Sequence, residues 1–156
     1  MKNRVRTIET GKWCEIYKSK IIIEQDILEK DIRGVYGFFI EDKCIYIGKG
    51  INIKDRVYDH LSKLKWLCYD IELKDVPTHI TELKEAFDDN KIINVKVLEI
   101  VDYEYENYNR DLHHLAFREY YHIEEYQKKG QCLNQYPEGS FVKKENERWL
   151  KQQQNR

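Results

Sequence analysis

Proline and glycine are scarce in this chain, with two prolines and seven glycines in 156 residues. No Pro/Gly/Ser-rich stretch, low-complexity tract or internal repeat interrupts it, so nothing marks a linker, and residues 1–156 read as a single domain. That length supports a core without cross-links. Four cysteines occur, Cys14, Cys44, Cys68 and Cys132, with no C-x-x-C pair and no cysteine–histidine cluster. Their scatter argues against a zinc site and predicts reduced, structural thiols in a cytoplasmic protein. Long apolar runs are missing too. No window approaches the ~20 apolar residues of a membrane span, and Met1-Lys2-Asn3-Arg4-Val5-Arg6 lacks the apolar run of an export signal. An excess of either charge is also absent: 27 Lys and Arg face 28 Asp and Glu. Broad, non-specific coating of nucleic acid is therefore not expected, because that affinity comes mainly from neutralising phosphates.

The charges present are unevenly placed. Lys2, Arg4, Arg6 and Lys12 make a basic amino end, and Lys49, Lys54, Arg56, Lys63 and Lys65 form a second group. Acids gather in 70–75 and 99–106. A locally positive cleft on a near-neutral protein follows.

The second basic group overlaps the most structured part of the sequence. Val35, Tyr36, Phe38, Phe39 and Ile40, then Ile45, Tyr46 and Ile47, have strand composition, and Glu41-Asp42-Lys43 is a short polar connection suited to a hairpin. Gly48 and Gly50 predict a break in the second strand and a close backbone approach to a ligand. Asn52 is a good N-cap for a helix whose Ile53, Val57, Leu61 and Leu64 form the buried stripe. Asn52, Arg56 and His60, four apart, share another stripe. Each piece has a plainer reading: strand tyrosines usually pack, an Arg–His pair usually faces water, and Gly-Lys-Gly lacks the rest of a phosphate-binding P-loop.

Farther along, 111–129 predicts a long helix with Leu112, Leu115, Ala116, Tyr120 and Ile123 inward and Gly130 as its stop. Glu119 falls on the same stripe, and a carboxylate there must be paired or bind a metal. Arg118, Arg110 and Arg56 are candidate structural partners. Asn134 follows the helix.

Gly34-Val35-Tyr36, Tyr46-Ile47-Gly48, Arg56, His60, Glu119 and Asn134, in this order, resemble the GIY-YIG nuclease family, whose first tripeptide reads Gly-Val-Tyr here. The resemblance covers about 34–134, diverges over 65–90, and leaves both ends as extensions. It implies an α/β (α+β) fold, a small three-stranded antiparallel sheet flanked by helices. It also implies a Mg²⁺- or Mn²⁺-dependent endonuclease with Glu119 as metal ligand, and Asn134 becomes a site residue. Arg56 would grip two phosphate oxygens, which lysine does not reproduce. The general base stays open between Tyr36 and Tyr46, with Lys49 lowering a phenol's pKa and His60 assisting, although His60 is the simpler base by ordinary pKa. The expected partner is DNA, with RNA open on residue grounds. The expected type is a compact restriction-, phage- or defence-type nuclease. A single site cuts one strand at a time, which raises a homodimer as an expectation. The alternative is a catalytically silent nucleic-acid-binding module of the same fold, whose signature would be loss of Arg56 or Glu119.

The remaining elements are simpler. Residues 13–17 and 20–28 carry strand-like runs. A helix is predicted from Thr78, as N-cap, through Phe87, with Leu83, Ala86 and Phe87 inward. A third strand is predicted at 92–101, a tyrosine-rich acidic loop at 102–109, and an amphipathic helix at 141–152 with Trp149 packing. His79, His113, His114 and His122 are not expected to be catalytic.

Overall fold

Ile40 pairs with Lys43 across the hairpin, so the turn is only Glu41-Asp42, with Glu41 in the left-handed region at φ 55°. The computed structural model describes residues 20–69 and 74–135, together with Arg148, Lys151, Gln152 and Gln154. The strand expected at 13–17 and most of the helix expected at 141–152 lie outside the described residues.

The elements run β1 (Ile21–Ile23), α1 (Gln25–Glu29), β2 (Gly34–Ile40), β3 (Lys43–Gly50), α2 (Ile53–Cys68), α3 (Thr78–Asp88), β4 (Ile93–Ile100) and α4 (Tyr108–Lys128). The sheet has four strands in the order β1-β4-β2-β3. The sheet is not the expected three-stranded antiparallel one: β2 pairs antiparallel with β3 and β4, and β1 adds a fourth strand parallel to β4, making the sheet mixed. Three consecutive isoleucines supply β-branched residues that occupy β4's outer edge, which would otherwise present unpaired backbone groups. The strand-like run at 20–28 ends after Ile23. Glu24 then accepts a hydrogen bond from the Val97 amide, 2.6 Å, and the short helix α1 follows.

Alternation along β2 sends its side chains to opposite faces. Tyr36 and Phe38 join Ile53, Val57, Leu61 and Leu64 of α2 and Ile80 and Leu83 of α3 in one apolar cluster. Val35, Phe39 and Ile47 join Leu115 and Ile123 of α4 in a second. Helices thus cover both faces, and β3 is left as the sheet edge. Two glutamine side chains from the segment after α4 pair with that edge. Gln131 accepts from the Cys44 amide at 2.7 Å, and Gln135 bonds both the amide and the carbonyl of Ile47. Cys132 Sγ donates to the Cys44 carbonyl in the same seam, at 3.3 Å, and Cys44, Cys68 and Cys132 are free thiols.

Four further expectations are corrected. β3 runs unbroken through Gly48 and Gly50. These glycines instead leave room for neighbouring side chains: a Cβ on Gly48 would strike the Tyr36 phenol, and one on Gly50 would sit 2.9 Å from Arg56 Cγ. Pro77, not Thr78, is the N-cap of α3. Helix α4 begins at Tyr108 behind an Asn107 cap. Its buried stripe is Asp111, Leu115, Glu119 and Ile123, while Leu112, Ala116 and Tyr120 are exposed. The earlier start follows from Asp111, whose carboxylate accepts the Glu104 and Tyr105 amides and turns the chain into the helix.

Gly48→Ala is expected to destabilise the protein by about 1–3 kcal/mol, the usual range for overpacking a filled interior. Urea unfolding measures it. An unchanged midpoint would mean that Tyr36 moves aside without cost.

Candidate active site

Asn52 Oδ1 accepts the Lys54 amide at 3.1 Å, a cap that sets the phase of α2 directly after β3. Arg56 and His60, one turn apart, therefore project toward the hairpin. His60 Nε2 lies 2.8 Å from Tyr36 Oη, and the Arg56 guanidinium donates a hydrogen bond to the same phenol. Arg56 itself is exposed, whereas Tyr36 is wholly buried and His60 only 6% exposed. The sequence pattern anticipated this grouping.

It did not anticipate His79. From the first turn of α3, its ring stacks on Tyr46, with centroids 3.8 Å apart and planes 19° apart. Its Nε2 lies 3.0 Å from His60 Nδ1. Both nitrogens of His60 are thus engaged, one by Tyr36 and one by His79. Helical spacing around His79 held no signal of its role, because its partners come from β3 and α2.

Burial sets the electrostatics. It raises the Tyr36 phenol far above its ordinary value, the neighbouring Tyr46 raises it further, and Arg56 acts against both. The neighbouring Tyr46 is half-buried. Burial pushes His60 down to about 3, helped by His79, Arg56 and Lys63. Burial and Lys63 push His79 down to about 4. Both rings are neutral at pH 7. Unfolding returns each to about 6.5, so below that pH the unfolded chain binds more protons, and stability falls as pH drops toward the folded values. Each histidine contributes roughly 1 kcal/mol of loss per pH unit. Unfolding free energy is expected to fall by about 4 kcal/mol between pH 7 and pH 5 from this pair. His79→Gln should flatten that slope in denaturant titrations; an identical slope would locate acid sensitivity elsewhere.

Glu119 is 5% exposed on the inner face of α4. Its Oε1 lies 3.6 Å from Lys49 Nζ of β3. Of the arginines named as candidate partners, Arg118 instead pairs with Glu99 at 2.8 Å, and Arg110 with Glu104 and Glu106. Lys49 stands beside Glu119 as a counter-charge. Of the other lysines in the second basic group, Lys54 and Lys65 are buried and Lys63 is exposed. Of that group, Lys49, Arg56 and Lys63 are the partly or fully exposed cations. Lys54 serves a structural pair with Asp31, 3.4 Å away.

Asn134 is exposed in the turn that the glutamine clasps hold against β3. With Tyr46, His79, Thr78, Glu82 and Gln131 it lines a cavity of about 400 Å³. It thus enters the site on the Tyr46 side. Among the described residues no three His, Cys, Asp or Glu converge as a metal-binding group. The donor on offer is one buried carboxylate balanced by an ammonium that is itself 25% exposed and can turn to water. A hard, single oxygen donor fits an ion such as Mg²⁺, which keeps most of its waters.

No protein-family model, curated protein or solved structure is matched by this chain. No helix among the described residues is long and apolar enough to cross a membrane.

Proposed function

We propose that this chain is a divalent-metal-dependent endonuclease of the GIY-YIG kind that hydrolyses phosphodiester bonds in DNA. The observation that carries the reading is the convergence on Tyr36 of the exposed Arg56 fork and the buried His60, with Tyr46 and the Lys49–Glu119 pair alongside. A packing cluster has no use for an exposed arginine tied to a buried phenol. A phosphate site does.

Arg56 grips two oxygens of the scissile phosphate, and its hydrogen bond to Tyr36 holds the fork in plane. Tyr46 orients the attacking water and takes its proton. It is preferred over Tyr36, because a wholly buried phenol already joined to His60 and Arg56 meets no water. Glu119 would hold Mg²⁺ or Mn²⁺, which when bound neutralises the phosphate and the leaving 3′ oxygen. Lys49 compensates Glu119 between turnovers and joins Arg56 in attracting the substrate. Asn134 borders the substrate on the far side of Tyr46. One carboxylate serves one metal and one strand at a time, so cutting both strands calls for a second copy or two encounters.

The test is purified protein incubated with plasmid, linear duplex and single-stranded DNA, and with RNA, each with and without Mg²⁺ or Mn²⁺. Metal-dependent nicking is expected. Binding without cutting under every condition would replace this reading with the silent binding module. Under single turnover, Tyr46→Phe should cost about 10²–10⁴ in rate, the usual worth of positioned proton transfer. Tyr36→Phe should cost less, through a loosened Arg56. A larger loss for Tyr36→Phe would exchange the two roles.

A further inference from the structure

His79 lies outside every motif that the sequence offers, in the first turn of α3. It is nevertheless where two structural lines end. One is the stack against Tyr46, at 3.8 Å. The other is a row of hydrogen bonds: Arg56 to Tyr36, Tyr36 Oη to His60 Nε2 at 2.8 Å, and His60 Nδ1 to His79 Nε2 at 3.0 Å.

We propose that His79 is a positioning residue for the phosphodiester reaction, holding the plane of Tyr46 by stacking and the tautomer of His60 by accepting its Nδ1 proton. This rests on the nuclease reading above. The direction of the row follows from its first member. Arginine only donates, so the Tyr36 oxygen accepts from Arg56 and turns its own O–H to His60 Nε2. A neutral imidazole carries one N–H. With Nε2 accepting, that proton sits on Nδ1 and is donated to His79 Nε2, which leaves the proton of His79 on its own Nδ1. Every bond then points one way, from the phosphate-gripping arginine to His79. Removing the last acceptor frees His60 to place its proton on Nε2, facing Tyr36. The phenol would then have to turn its O–H away from His60 and accept there instead, so that its oxygen is shared between His60 and Arg56 and holds the arginine less firmly. Meanwhile the Tyr46 ring, whose other aromatic neighbours are tilted rather than stacked, loses the surface that sets its plane.

Three variants separate the two contributions: His79→Phe keeps a ring and deletes the acceptor, His79→Gln keeps an acceptor and deletes the ring, and His79→Ala deletes both. Misplacement of reacting groups on this scale costs about 10²-fold. His79→Ala is expected to lower kcat about 100-fold with KM nearly unchanged, and Phe and Gln to recover about 10-fold each. Imidazole nitrogen NMR gives a readout independent of cleavage. His60 should carry its proton on Nδ1 in the wild type and in His79→Gln, and should shift to Nε2 or a mixture in His79→Phe. A variant that does not fold is replaced by the other two. If the wild type cuts but His79→Ala stays within about threefold in kcat, or loses activity through KM alone, the positioning role is wrong and the nuclease reading stands. Full activity of His79→Phe, or an unshifted His60 proton in it, would overturn the tautomer link. A wild type inert on every nucleic acid overturns the nuclease reading first, and this inference with it.

Discussion

Glu119→Gln is expected to keep the fold and abolish metal-dependent cleavage, with a loss of about 10³-fold or more. The amide is nearly isosteric, so the Leu115–Glu119–Ile123 stripe of α4 stays packed. Lys49 loses its counter-charge, but its side chain is 25% exposed and turns to water at little cost. What disappears is the anionic oxygen, and a neutral amide is a poor ligand for a hard divalent ion. Two measurements belong together. Mg²⁺ should raise the melting temperature of the wild type and leave that of the variant unmoved, because a ligand stabilises only a fold that binds it. Nicking should vanish in parallel. Wild-type nicking by the variant would sink the metal assignment, and loss of nicking with an intact Mg²⁺ response would move the metal to other donors.

Arg56→Lys is expected to be nearly as inactive as Arg56→Ala, at about 10²–10³-fold below wild type. Positive charge is kept, but the planar fork is not, and an ammonium cannot span two phosphate oxygens while also donating to Tyr36. The loss should fall on kcat, because Lys49 and Lys63 still attract the substrate. A lysine variant that restores most of the rate would reduce Arg56 to a source of charge. Salt dependence adds a second reading. Alanine, which loses a charge, should flatten the dependence of binding on salt, and lysine should not.

Much of the site was legible in one dimension because its residues follow one another closely. Tyr36 and Gly48 are cross-strand partners in a hairpin with a two-residue turn. Asn52, Arg56 and His60 are spaced by single helical turns, so local geometry alone brings Arg56 and His60 to Tyr36. Glu119 was legible for a different reason: an acid on an apolar stripe must have a partner. Lys49, which stands beside Glu119, comes from β3, seventy residues upstream, and no local pattern links the two.

By itself the sequence determined the β2–β3 hairpin, the capped helix behind it and the inward face of α4 at Leu115, Glu119 and Ile123. Each depends on periodicity and capping within a few residues. Only the tertiary structure decided the rest. Ile21–Ile23 became a fourth strand because β4 had an edge to fill. Leu112, Ala116 and Tyr120 face outward because the second face of the sheet reaches only one side of α4. Lys54 and Lys65 left the cleft for buried positions. His79 entered the site because α3 packs against α2 and carries an imidazole to the one place where His60 still had a nitrogen to share. Such contacts join segments that share no pattern in the chain; they arise only when separately folded elements are pressed together to bury their apolar faces.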